Sequence, residues 1–149
     1  MEVFQEILAC CKVCRIGTAD EKGMMIVPMN FGYEAENGSA KLYFHTGMDG
    51  RKLRALRTNR NVCFELDGKG ALITCDDGTK ACDYSYVICS AMGSGEITFV
   101  EELRQKQRAL ELIALHQVGK ALPVPISKVD HVTVLCLTVK EVTTRKKNC

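Results

Sequence analysis

Two apolar, strand-prone runs, residues 13–19 and 24–33, are separated only by the turn-forming tetrapeptide Asp20-Glu21-Lys22-Gly23. A link that short permits an antiparallel hairpin and excludes a parallel pair, whose crossover needs about a dozen residues or more. A third strand follows at once, because Glu36-Asn37-Gly38-Ser39 turns the chain into residues 40–46. Short strands joined by tight turns, with helices interspersed instead of alternating regularly, favour an antiparallel barrel over a doubly wound parallel sheet.

The remaining pattern fits one mainly β domain over residues 1–149 with a few flanking helices. Phe4, Ile7, Leu8 and Cys11 recur at helical spacing and predict a short amphipathic helix over 2–11. A helix over 50–58 leads to a strand over 61–67, and further strands are expected over 84–91 and 95–100. Glu101 and Glu102 open a helix with Leu103, Leu110, Ile113, Ala114 and Val118 on one face, and Gly119 ends it. Pro123 and Pro125 prevent its continuation, and residues 132–139 form a last strand before the basic Arg145-Lys146-Lys147.

Composition narrows the class without choosing a partner. Hydrophobic residues make up 46% and charged residues 26%, as in ordinary globular domains, and the net charge of +2 is too small to imply nucleic acid. No apolar stretch approaches a membrane span, and the acidic start is unlike a signal peptide, so the protein is expected to be cytoplasmic. The nine cysteines are scattered. Cys63, Cys89 and Cys136 fall in apolar strand patterns, where cysteine acts as a small hydrophobe, and reduced thiols are the simplest expectation. Cys10, Cys11 and Cys14 lack a second Cys or His pair at zinc-like spacing, so no metal site is expected.

Chemistry concentrates in Lys41-Leu42-Tyr43-Phe44-His45-Thr46-Gly47-Met48-Asp49-Gly50-Arg51-Lys52-Leu53, a half-buried strand running into a helix start. Asp49 is expected to be the N-cap, which puts Arg51 and Lys52 in the first helical turn. Free amides and the positive helix end already favour anions there, so two added cations gain nothing from the helix itself. They make sense with an external dianion such as phosphate, chelated by Arg51, reinforced by the Lys52 charge and approached by the Thr46 hydroxyl. A solvated basic helix face is the alternative. His45 is placed to touch a ligand or transfer a proton, although a packed or exposed strand-end histidine is the commoner case. The sequence has no G-x-S-x-G elbow, H-E-x-x-H motif or phosphate-binding P-loop. Gly93-Ser94-Gly95 is followed by strand-like residues and reads as a bulge or turn.

Over almost its whole length the chain resembles the flavin-binding split-barrel superfamily of pyridoxamine 5'-phosphate oxidase, in particular its 5-nitroimidazole resistance (Nim-like) branch. The resemblance rests on Val13-Cys14-Arg15-Ile16, Val27-Pro28-Met29-Asn30-Phe31-Gly32-Tyr33, Tyr43 through Leu53, Asn61-Val62-Cys63-Phe64, Gly93-Ser94-Gly95 and the helix over 101–112. It implies a split β-barrel of antiparallel, Greek-key type that binds FMN. By this resemblance Arg51 and Lys52 would hold the FMN phosphate, and His45 and Thr46 would lie along the flavin. The backbone of Val27, Pro28, Met29 and Asn30 would face the ring. Such proteins resemble homodimers with flavin between subunits, and Ser90 would complete the site from a second strand. The C-terminal segment that holds substrate in pyridoxamine phosphate oxidases is not expected here, and neither is that oxidase activity.

The leading expectation is a flavoprotein oxidoreductase in which reduced flavin passes electrons to a small organic acceptor, with a nitroaromatic or nitroimidazole as the acceptor the branch implies. The cofactor supplies the electron chemistry, and His45 is the nearby side chain available for proton transfer. The alternative is a protein of the same fold that stores or senses FMN, or haem, without turnover. A nucleic-acid surface along Arg51-Lys52-Leu53-Arg54-Ala55-Leu56-Arg57-Thr58-Asn59-Arg60 ranks last, because aromatics for base stacking are few and Leu53 and Leu56 imply a buried face.

Overall fold

The computed structural model describes residues 2–68 and 70–146. The expected hairpin is present as β1 (Val13–Asp20) against β2 (Gly23–Asn30), in antiparallel register from Val13 opposite Asn30 to Asp20 opposite Gly23. Strand alternation sends Cys14, Ile16 and Thr18 inward opposite Met29, Val27 and Met25, while Arg15, Gly17 and Ala19 lie on the outer face opposite Pro28, Ile26 and Met24.

Residues 24–33 do not form the single strand expected of them. β2 ends at Asn30, and β3 (Gly32–Glu36) pairs instead with β4 (Ser39–Thr46). The break has a topological cause. The seven strands run in the order β2, β1, β5, β8, β9, β4, β3, so β2 and β3 are opposite edges of one sheet although a single residue separates them. The sheet must curl until its edges meet at Phe31, which is fully buried and packs near Phe44, Tyr33 and His116. No ladder joins β2 to β3 or β4, so the barrel stays split along that seam.

β5 (Asn61–Asp67) lies between β1 and β8 (Cys89–Val100), and β9 (Thr133–Lys146) bridges β8 to β4. The Gly93-Ser94-Gly95 triplet lies inside β8, where the pairing with β9 shifts register between Ser94 and Gly95; this is the bulge reading, in one twelve-residue strand instead of two separate ones. Because β8 starts early, β9 finds a partner well beyond Val139 and takes in Arg145 and Lys146, while Lys147 lies outside the described residues. The rest of the expected strand over 84–91 belongs to β7 (Tyr84–Val87), which pairs with β6 (Ala71–Thr74) in a separate two-stranded ribbon.

Among the described residues three α-helices cover the sheet. α1 (Glu2–Cys10) buries Phe4, Ile7 and Leu8 against β5, β8 and β9, with Phe4 and Phe64 ring centroids 6.3 Å apart. α2 (Arg51–Thr58) buries Leu53, Ala55 and Leu56. α3 (Leu103–Val118) is capped by the Glu102 carboxylate, which accepts from the backbone N–H groups of Arg104 and Gln105, and it ends at left-handed Gly119. Its buried stripe is Lys106, Ala109 and Ile113, while the expected core positions Leu103 and Val118 are exposed. Packing on β3 and β4 selects this stripe, and the Lys106 stem supplies apolar area within it.

Candidate functional site

The β4-to-α2 junction forms as expected, with one difference at the cap. Gly50, not Asp49, is the N-cap, at φ 144° and ψ 164°, and no side chain caps the helix. That backbone conformation is open to glycine and strained for other residues. Asp49 instead accepts two hydrogen bonds from Nη1 of Arg54, at 2.8 and 3.1 Å. The first N–H groups of α2 are therefore left without a side-chain acceptor from the cap.

Arg51 and Lys52 follow this junction but diverge. Arg51 reaches the tip of the β1–β2 hairpin, where its Nε and Nη2 donate to the two carboxylate oxygens of Asp20 at 2.8 and 2.7 Å, and Nη2 also donates to the Gly23 carbonyl. This fork lowers the Asp20 carboxyl to about 2, with the Arg51 hydrogen bonds as the main cause. Lys52 turns toward the seam. Its stem lines a small internal void with Ile16, Thr18, Val27, Met29 and Phe44, and its Nζ lies 4.0 Å from the Met29 sulfur. Burial lowers the Lys52 pKa, and no carboxylate pairs with it among the described residues.

His45, near the end of β4, is exposed on the strand, yet partial loss of surrounding water first and the Lys52 charge second lower it from the ordinary histidine value, which favours the neutral imidazole. It shares an open cleft of about 450 Å³ with Asn30, Leu110, Ile113, Ala114, Gln117, Val124, Lys128 and Val132. The Asn30 amide donates to the Lys12 carbonyl at 3.0 Å and to Gln117 Oε1 at 3.1 Å, which ties the end of β2 to α3. Thr46 ends β4 opposite Thr133. Pro28 is exposed on β2, the position in a sheet where a missing N–H costs least. As an edge strand, β2 leaves the backbone groups of Val27–Asn30 that point away from β1 without ladder partners.

The fold thus gathers Val27, Met29, Asn30, His45, Thr46 and Lys52 around the seam. It turns Arg51 away from them onto Asp20, and it puts Ser90 at the far end of β5, opposite Asp67 and Arg145. Sequence reading missed Asp20 as the partner of Arg51, because a carboxylate in a turn looks like turn chemistry alone. It also missed the cleft wall supplied by α3, since nothing local in residues 110–117 points to β4. Among the described residues no group of three or more His, Cys, Asp or Glu side chains is placed to hold a metal ion, and no helix is long and apolar enough to cross a membrane.

An open antiparallel sheet curled into a split barrel, with a cationic helix start at its seam, defines a class of small β-barrel protein. The family model for pyridoxamine 5'-phosphate oxidase matches residues 2–146, and the chain belongs to that family. Among solved structures it is similar to a candidate 5-nitroimidazole antibiotic resistance protein from Bacteroides thetaiotaomicron VPI-5482, at 30% identity and a TM-score of 0.81, covering 96% of this chain and 81% of that one. The flavocytochrome Anf3 from Azotobacter vinelandii shares the fold at 17% identity and a TM-score of 0.77, over 100% of this chain and 68% of that one. So does an FAD and haem binding protein from Mycobacterium smegmatis, at 12% identity and a TM-score of 0.79, over 99% and 71% of the two chains. No protein with curated function matches the chain by sequence.

Proposed function

We propose that this chain is a flavoprotein that holds FMN at the seam between β2 and β4 and passes electrons from the reduced cofactor to a small organic acceptor, a nitroaromatic being the favoured class. The observation that carries the reading is Lys52: a partly desolvated ammonium without a carboxylate is costly unless an anion is meant to meet it. The unpaired edge of β2 and the neutral imidazole of His45 fit a planar, hydrogen-bonding ring beside that anion. Bound there, the isoalloxazine would supply the electron chemistry. Lys52 and the free amides of α2 would bind its phosphate, and the apolar wall of Leu110, Ile113, Ala114 and Val132 would limit water. His45 Nδ1 or Nε2 is the group that could take or give a proton. Arg51 would join through Nη1, which the Asp20 fork leaves unused, or by leaving Asp20.

The same reading includes a homodimer with the flavin between copies. Met24, Ile26 and Met92 stand 82%, 72% and 60% exposed on the outer sheet face, beside small residues such as Gly17 and Ser94. A second copy on that face would bring in its own Ser90. The electron-transfer claim is tested by supplying FMN and following acceptor reduction by pre-reduced protein. Acceleration over free reduced FMN supports an enzyme, whereas tight binding without acceleration supports a storage or sensing role. Failure to bind FMN refutes both, and light scattering that finds only monomers refutes the dimer.

A further inference from the structure

Where α1 meets the beginning of β8, three thiols cluster away from the seam. Cys10 Sγ lies 3.9 Å from Cys89 Sγ and 4.0 Å from Cys11 Sγ. Gly68 makes the first approach possible: a Cβ there would sit 2.9 Å from Cys89 Sγ and 3.1 Å from Cys10 Sγ, so the two sulfurs fill the space any side chain at 68 would need. The three thiols differ in access. Cys10 is exposed and Cys89 partly so, while Cys11 and the nearby Cys14 are 1% and 0% exposed.

We propose that Cys10 and Cys89 form an oxidation site that closes to an intramolecular disulfide under hydrogen peroxide. The exposed Cys10 thiol gives up its proton, and the sulfur attacks one peroxide oxygen as the O–O bond breaks, giving Cys10 sulfenic acid and a hydroxide that takes up that proton as water. The Cys89 sulfur then displaces the second water as the S–S bond forms and the S–O bond breaks, so two thiols lose two electrons to one peroxide. From 3.9 Å, closure needs the sulfurs to approach by about 2 Å to reach disulfide bonding distance. The competing bond from Cys10 to Cys11 is disfavoured because the Cys11 N–H donates to the Ile7 carbonyl at 3.0 Å, which holds the backbone between the two cysteines in helical form. Two further groups define the surroundings. Lys146 stands opposite Cys89 and bridges to Glu6 of α1 at 2.7 Å, so a cation lies beside the resolving sulfur. The disulfide would tie the end of α1 to the strand carrying Ser90, across 79 residues of sequence.

The test uses the reduced full chain and one molar equivalent of hydrogen peroxide. The expected result is an intact mass lower by two hydrogens, restored by dithiothreitol. Trypsin without reductant should then yield the peptide ending at Lys12 joined to the peptide spanning 81–104. Because those peptides also carry Cys11 and Cys82, variants assign the bond. Cys11→Ser and Cys82→Ser should still lose two hydrogens, and Cys10→Ser and Cys89→Ser should not. A bond confined to the first peptide, a bond between two chains, addition of oxygen without a link, or no change in mass would each overturn the proposal.

Discussion

Replacing Lys52 by methionine separates a ligand-binding cation from a surface one. The stem of Lys52 packs beside Met29, Phe44 and Leu56, and a methionine of similar length keeps that packing while removing the charge. In the free protein the ammonium is partly desolvated and has no carboxylate partner among the described residues, so losing it relieves a cost and breaks no ion pair. The free variant should therefore resist urea at least as well as the parent. With FMN the sign reverses. A charge-assisted contact to phosphate is worth about 1.5–3 kcal/mol, which corresponds to affinity weaker by about ten- to hundredfold. Quenching of flavin fluorescence on titration gives the affinity, and urea unfolding of the flavin-free protein gives the stability. FMN affinity within about twofold of the parent would refute the phosphate assignment, and lower stability of the free variant would show that Lys52 has a protein partner after all.

Asp20→Asn should release Arg51 from its carboxylate fork; if Arg51 serves the phosphate, FMN binds more tightly and with a steeper salt dependence, and weaker binding in the titration would mean that Asp20 positions Arg51 for the ligand. Thr18→Val should stabilise the fold by about 1 kcal/mol in urea unfolding, because the Thr18 hydroxyl is buried without a hydrogen-bond partner among the described residues, and a loss of stability would contradict that. Exposed His45 and half-buried His116 are both held below the ordinary value of 6.5, partial loss of surrounding water being the first cause for each. Below about pH 6.5 the unfolded chain binds protons that the folded chain resists, so the urea midpoint should be level above that pH and fall as the solution is acidified toward pH 5. A paired His45→Gln and His116→Gln variant should flatten the fall.

Local chemistry made much of this molecule legible in one dimension. The four-residue spacing between the first two strands left only a hairpin, and Glu102 and Gly119 bounded α3 because a capping carboxylate and a left-handed glycine act within one helical turn. The β4-to-α2 junction was readable for the same reason, except that the cap fell on Gly50 instead of Asp49, once Arg54 captured the carboxylate. The break at Phe31 was not readable, since alternation continues through it and only the closing of the sheet puts β2 and β3 on opposite edges. The face of α3 was misjudged on similar grounds: periodicity defines a stripe, but the partner surface on β3 and β4 sets its rotation.

The sequence by itself determined that two cations follow the strand-to-helix junction and that the sheet is antiparallel, because turns, caps and alternation are contacts between near neighbours. Tertiary structure decided where those charges point. Consecutive residues in a helix diverge by about 100°, so Arg51 meets a turn carboxylate 31 positions away while Lys52 enters the barrel wall with no carboxylate partner among the described residues. It also brought Cys10 beside Cys89 and set Ser90 between Asp67 and Arg145, since neighbours across a curled sheet depend on strand order and not on spacing along the chain.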